Sequence, residues 1–362
     1  MMRLSVHMMV LNCKDVIERA LRPFQDLAGQ VEICVVDTGS TDGSVDRIRE
    51  ICEHLGLGYK AMFVSPKTNP ELYFNDEPSS WNREVPGPFT GKPILRDWSY
   101  VRNEGLKLCD APYVMKLDAD DEVFESSNIP PTLDYLDTRT DIDIVACPYE
   151  IMDGKGEIEQ RQIYDRFWRN GKVHCVETMH EYFPEKNNIN HLIMLQGMSF
   201  RDWRDSPGDG IRLHLRNYKI LLGEYERREQ TGMSFVSNSS DVRFLFTLGH
   251  EAVNAEPNFA RHVLALASLL NGSSFLPEAE IIFHQARAYE IEDELVLARS
   301  CYEKAASLGK DIIFNLHLGM LQKKMGDLDW QKTLKKAVVA AKTSSMYNIP
   351  LKMLREAEKL IS

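Results

Sequence analysis

Between Tyr113 and Val123 the chain reads YVMKLDADDEV, and an apolar run gives way to Asp118, Asp120, Asp121 and Glu122. Four carboxylates within five residues repel one another and are costly in an ordinary turn. A strand that delivers them to one edge of a sheet makes sense if a divalent cation collects them. Hard cations such as Mg²⁺ and Mn²⁺ take oxygen ligands, commonly one or two carboxylates plus the oxygens of a bound phosphate. The first expectation is therefore a metal site that holds a phosphorylated or nucleotide-linked substrate.

The elements that must position this turn follow from periodicity. Residues 4–11 read as a buried strand. Val16, Ile17, Ala20, Leu21, Phe24 and Leu27 have helical spacing and predict a helix over 16–27. A strand over 31–36, a helix over 45–55 and a strand over 59–64 follow. Strand and helix in alternation predict an α/β fold with a parallel sheet and right-handed crossovers. Asn12–Asp15 is a polar break after the first strand, and residues 37–44 form a turn-rich loop after the second. Residues 67–95, with Pro70, Pro78, Pro86, Pro88 and Pro93, break the pattern. Such a stretch is either a lid or acceptor-facing loop or a solvated insertion. A helix over 98–109 leads into the acidic strand end. Beyond it come a helix over 131–136, a strand over 143–151, a Gly-containing hairpin turn at 153–156 and antiparallel pieces to about Trp203.

From Gly210 the pattern is helical almost throughout, which predicts one domain over 1–205 and an all-α domain over 206–362. In the second, Ala286, Tyr289, Ala298, Tyr302 and Ala305 match the small and aromatic spacing of a tetratricopeptide helix pair. A plain helical bundle is the competing reading.

Composition narrows the field. The chain has 362 residues, a formal net charge of -11 and no long basic run, which argues against an electrostatic nucleic-acid footprint. Arg201, Arg204, Arg212 and Arg216 read as a solvated helix face. The seven cysteines form no CxxC pair, so they read as reduced, mostly buried thiols in a reducing, cytoplasmic setting. The first residues are too short and interrupted for a signal peptide, and no apolar stretch is long enough to span a bilayer.

Four segments together resemble the family 2 glycosyltransferases of the GT-A fold. They are Ser5–Asn12, the run Val35–Ser44 (VVDTGSTDGS), Ser99–Gly105 with its Arg102-Asn103-Glu104-Gly105, and Lys116–Asp121 with its DxD pattern. A further stretch, Arg166–Asn170 through Thr178–Glu181, is similar to the family's RxFRN…VHE element. The resemblance implies a Rossmann-like nucleotide-diphospho-sugar domain and a hexosyl- or pentosyltransferase that uses a nucleoside-diphosphate sugar, a UDP-sugar being favoured, with Mn²⁺ or Mg²⁺.

It also implies roles. Asp120 would ligate the cation, and Asp118 would reach the ribose hydroxyls or a metal-bound water. Asp37 and Asn12 would contact the nucleoside, and Arg102 a phosphate or the acidic cluster, with an internal salt bridge to Asp118 or Asp120 compatible. Some relatives place a metal-binding histidine where this chain reads Ser199–Trp203, so His180 is the preferred further ligand. Glu181 is the favoured general base, with Glu177 and Asp165 as alternatives. Asp121 or Glu122 would hold the shell in place, Glu122 fitting an exposed loop charge better. Ser44 reads as a helix cap rather than a ligand contact, and Asn103 as structural. No second nucleophilic carboxylate is identifiable, which favours single displacement with inversion. The acceptor is a glycan, a lipid-linked glycan, a protein or a modified nucleobase, and the helical domain could recruit a protein partner. Two other readings compete: a nucleotidyltransferase of similar sheet architecture, opposed by Asn12–Asp15 where a Gly-rich phosphate loop is needed, and a silent scaffold that binds through its helical tail.

Overall fold

The computed structural model describes residues 2–75, 93–153, 155–176, 179, 191–193, 197–203, 209–272, 275–309, 311–343 and 350–362. These fall into two compact units, one of residues up to Asp205 and one from Ser206 onward.

The first unit opens with β1 (Leu4–Val10), α1 (Ile17–Leu21), β2 (Val31–Asp37), α2 (Ser44–Leu55) and β3 (Gly58–Phe63). Every residue of β1 and β2 is buried, the signature of strands covered on both faces of a parallel sheet. After these come β4 (Tyr73–Asn75), β5 (Pro93–Leu95), α3 (Trp98–Leu106), β6 (Tyr113–Lys116), β7 (Asp121–Phe124) and α4 (Ile129–Thr138). The unit closes with β8 (Ile144–Met152), β9 (Ile158–Arg169), β10 (His191–Ile193) and β11 (Ser199–Trp203).

One mixed sheet runs in the order β3-β2-β1-β6-β9-β8-β11-β7, with β10 pairing β8. β1 is parallel to both β2 and β6, with His7 opposite Cys34 and Lys116. The chain segments that leave β1, β2 and β6 therefore emerge along one edge, where open α/β sheets bind ligands. The core beneath that edge includes Leu4, Val6, Met8, Ile33, Val35, Met115 and Phe167.

Several expectations need correction. The helix expected over 16–27 stops at Leu21 and continues as a 3-10 turn over Arg22–Leu27. Pro23 lies in its first turn and has no N–H to extend the α-helical ladder. The helix expected to reach Cys109 ends at Leu106. The ends of the proline-rich segment are structured: β4 and β5 form an antiparallel ribbon, while residues 76–92 lie outside the described residues. The strands after the hairpin are not all antiparallel, since β10 and β11 run parallel to β8. Arg201 is on β11, not on a helix, and its Nε lies 3.2 Å from Glu150.

The second unit is helical: α5 (Asp209–Gln230), α6 (Ser239–Ala252), α7 (Pro257–Leu270), α8 (Glu278–Ile291), α9 (Leu295–Leu308), α10 (Ile312–Lys324), α11 (Trp330–Thr343) and α12 (Leu351–Ile361). Ala286, Ala298, Tyr302 and Ala305 are fully buried in one cluster, with Tyr289 packed on it. A Cβ on Gly249 would meet Leu264, and one on Gly319 would meet Leu334, so bare backbone admits a leucine from the next helix at both points. No described helix is long and apolar enough to cross a membrane.

Candidate active site

The acidic turn begins where β6 runs out of sheet partners. Leu117 N–H donates to His7 O at 3.1 Å, and Asp121 N–H closes the turn on Asp118 O at 3.1 Å. Asp121 is wholly buried, Asp118 is half-buried and Asp120 is exposed. The turn thus presents one carboxylate outward and keeps two at its base.

Two buried arginines brace that base. Arg102, on α3, is 1% exposed, and its Nη2 is 3.5 Å from Asp118 Oδ1. Arg166, on β9, has Nη1 3.5 Å from Asp118 Oδ2 and 3.1 Å from Asp121 Oδ2. The Arg166 guanidinium lies 4.5 Å from the Tyr149 ring centroid and 5.0 Å from that of Phe200. The Tyr149 hydroxyl donates to Asp121 Oδ1 at 3.0 Å. On the outer side, Arg19 Nη2 donates to the Asp120 carbonyl at 3.1 Å.

The charges do not balance evenly. Burial opposes ionisation of Asp118, yet Lys116, Arg166 and Arg102 outweigh it and hold the carboxyl well below the usual carboxylate range. Burial, then Asp118 and Asp202, push Asp120 up to about 6. Burial also raises Asp121; Asp118, Asp120 and Asp202 add to this, and Arg166 pulls the other way. The turn gathers three carboxyls, Asp118, Asp120 and Asp121, around two buried arginines, and Asp120 is the exposed one. That donor set, oxygen atoms of clustered carboxylates with one reachable from solvent, suits a hard divalent cation.

Arg102 is aimed by α3. Asp97 caps this helix, accepting from Tyr100 N–H at 2.9 Å. Gly105 lets it lie against the sheet, because a Cβ there would run into Val36 Cγ2 and His7 Cε1. The His7 ring completes the junction, with Nε2 3.1 Å from Arg102 O. Asn103 exchanges two hydrogen bonds with the Cys175 backbone, at 2.8 and 2.9 Å. The Arg-Asn-x-Gly pattern thus divides into a site residue, a tether and a close-approach position.

Beside the turn, the loop after β2 folds on its own side chains. Asp37 is 5% exposed and accepts from Ser40 N–H at 3.1 Å. Asn12 sits in the left-handed region at φ 49, and its Oδ1 accepts from Thr41 N–H at 2.8 Å. Both residues therefore have a structural use at the sheet edge. Ser44 does not cap α2: the preceding residue, Gly43, takes that position with φ 86. Instead Ser44 Oγ accepts from Cys13 N–H at 2.8 Å and donates to Asp42 at 2.5 Å.

The structure brings Asp118, Asp120, Asp121, Arg102, Asn12 and Asp37 to the same sheet edge. Glu122 is half-buried and accepts from Trp203 Nε1 at 2.9 Å, so it is a strut between β7 and β11 rather than a loose charge. Asp165 lies on β9, opposite Ala146 of β8. His180, Glu181 and Glu177 lie outside the described residues. Sequence reasoning gave no role to Arg166, Tyr149 or Asp202. Asp202 stands opposite Asp121 in the β11–β7 register, a relation that no local motif announces.

Residues 93–200, which hold Arg102, the acidic turn, Tyr149 and Arg166, match the family model described as glycosyl transferase family 2. No curated protein sequence matches the chain. Among solved structures, TarS of S. aureus in complex with UDP-GlcNAc is 15% identical with TM-score 0.39, covering 96% of this chain and 94% of that one. A mannosyltransferase, PcManGT from Pyrobaculum calidifontis, in complex with GDP-Man and Mn²⁺, is 13% identical with TM-score 0.42, covering 95% and 88%. Glucosyl-3-phosphoglycerate synthase from Mycobacterium tuberculosis, in complex with Mg²⁺ and UDP, is 21% identical with TM-score 0.26, covering 41% and 44%. The matched segment supplies the centre of the mixed sheet and its acidic edge, and over that segment the chain is similar to glycosyl transferase family 2.

Proposed function

We propose that the chain moves a sugar from a nucleoside-diphosphate sugar to an acceptor hydroxyl in a reaction that depends on Mn²⁺ or Mg²⁺. One observation carries this reading: Asp118, Asp120 and Asp121 crowd one turn at the carboxyl end of a parallel sheet, where Asp120 faces solvent beside like-charged neighbours that repel it. A dication relieves that repulsion, and a diphosphate completes its oxygen shell. When bound, the ion stabilises the charge that develops on the departing diphosphate as a Lewis acid.

The chain's own residues have the following parts. Asp120 is the direct cation ligand. Asp118, kept ionised by Arg102 and Arg166, reaches a ribose hydroxyl or a metal-bound water. Arg102 and Arg166 keep Asp118 and Asp121 in position rather than meeting solvent themselves. Asp37 and Asn12 line the nucleoside side of the edge. Glu181 takes the acceptor proton, and His180 is a further cation ligand. Inversion by single displacement is the reaction course. The favoured donor is a UDP-sugar. The acceptor belongs to the glycan, lipid-linked, protein or modified-nucleobase classes. The helical unit is a tetratricopeptide-like platform that recruits it, and free, mostly buried cysteines suit a reducing cytoplasm.

The test is release of UDP or GDP from a panel of donor sugars with Mn²⁺, for wild type and Asp120→Ala. Removing the ligand should lower turnover by roughly a hundredfold or more. Equal turnover in both proteins rejects the assignment.

A further inference from the structure

The helical unit holds a polar cluster that sugar transfer does not use. His214 on α5 and the consecutive pair His250 and Glu251 on α6 each offer a ligand atom, and these atoms all lie within 4.8 Å of one another. Glu251 is 1% exposed, and its Oε2 is 2.5 Å from His214 Nδ1. A carboxylate this deeply buried must be neutralised, by a proton on an imidazole or by a cation.

The ligand atoms are held from behind. Asn217 Nδ2 donates to Glu251 Oε1 at 3.2 Å, one turn along α5 from His214, which fixes the carboxylate with Oε2 turned to the imidazole. His250 Nδ1 lies 3.1 Å from His284 Nε2 on α8. His284 is 9% exposed, and its Nδ1 has no hydrogen-bond partner among the described residues. Outer partners of this kind orient the imidazoles and carboxylates that bind metals. His214, with its side chain 38% exposed, leaves a route from solvent.

From this geometry we infer a second cation site, distinct in chemistry from the acidic turn: His214, His250 and Glu251 bind a divalent transition ion of the zinc type. Two imidazoles and one carboxylate suit Zn²⁺, Co²⁺ or Ni²⁺, whereas the all-carboxylate turn suits Mg²⁺ or Mn²⁺. The ion replaces the proton between His214 and Glu251 and clamps α5 to α6, with His284 supporting from α8. The site is structural and stands whether or not the transferase reading does.

The full chain is titrated calorimetrically with Zn²⁺ in excess Mg²⁺, which occupies the hard site. One Zn²⁺ per chain and a raised melting temperature are expected, with intense visible absorption when Co²⁺ is used instead. His214→Gln and His250→Gln should weaken Zn²⁺ binding at least roughly tenfold to a hundredfold and remove the thermal shift. The proposal is overturned if wild type binds no Zn²⁺ under these conditions, or if both variants bind as wild type does. Should the variants fail to fold, the Co²⁺ spectrum of wild type decides: the weak absorption of six oxygen ligands contradicts the site.

Discussion

The two ends of the central sheet both bury carboxylates, and they treat them in opposite ways. At the amino ends of β1, β2 and β6, Glu32 accepts from Ser5 Oγ at 2.5 Å and from Asp110 N–H at 2.9 Å, and its Oε2 is 2.7 Å from Lys60 Nζ. Burial works against its charge, but Lys60, Ser5 and the Asp110 amide outweigh burial and lower the carboxyl below its usual range. At the carboxyl ends, Asp118, Asp120 and Asp121 crowd together with Asp202, and both Asp120 and Asp121 are raised. The first arrangement is matched by its own partners, whereas the second crowds like carboxyls that a cation can bridge. Buried charge alone therefore does not mark a site; like carboxyls crowded at a sheet's carboxyl edge do.

Four substitutions would break or sharpen this contrast. The largest effect is expected from Arg166→Met. It strips Asp121 of its ion-pair partner at 3.1 Å and leaves a buried carboxyl among three others. Removing one partner of a buried pair costs about 3–5 kcal/mol. Urea unfolding should show that loss, and a loss under 1 kcal/mol would mean Arg166 does not hold the turn.

Glu32→Gln is the control at the other end. It should cost about 1–3 kcal/mol, because hydrogen bonds to a charged group are lost, while donor binding stays as in wild type. The pH dependence has a definite sign. Glu32 has a depressed folded-state pKa, so its contribution is present above the unfolded value near 4.5 and fades as pH falls through the folded one. Wild type and Glu32→Gln should therefore converge in stability below pH 4.5, and a constant gap into acid would refute the ionic account.

The smallest effect is that of Gly105→Ala. Overpacking against Val36 and His7 costs about 1–3 kcal/mol, offset by up to about 1 kcal/mol of helix propensity. Gly319→Ala, which crowds Leu334, should show a similar net loss. Only Gly105→Ala should also lower turnover, since α3 carries Arg102. If both variants transfer sugar equally well, α3 does not position the site.

Much of this arrangement was legible in the chain because it is local. The runs of β1 and β2, the turn after Asp37 and the carboxylates after Met115 announce a parallel sheet and its loaded edge. What stayed hidden is set by pairing between distant segments. Arg166 reads only as the start of the Arg166–Asn170 stretch, with no role of its own, until β9 is laid antiparallel on β6, with Phe167 opposite Met115. Asp202 acquires meaning only when β11 pairs with β7. Glu122 shows the reverse error: a residue read as an exposed loop charge has a structural partner, Trp203 Nε1. The metal cluster escapes local spacing too, because His214 comes from α5 and the adjacent pair His250 and Glu251 from α6.

The central claim is that Asp120 gathers a cation which in turn holds a diphosphate. It is tested most directly by calorimetric binding of UDP and of GDP to wild type and Asp120→Ala, with Mn²⁺ and with chelator. At least one nucleotide should bind wild type tightly with Mn²⁺ and weakly without it, while Asp120→Ala binds weakly in both. Binding that ignores both Mn²⁺ and the substitution would contradict the account.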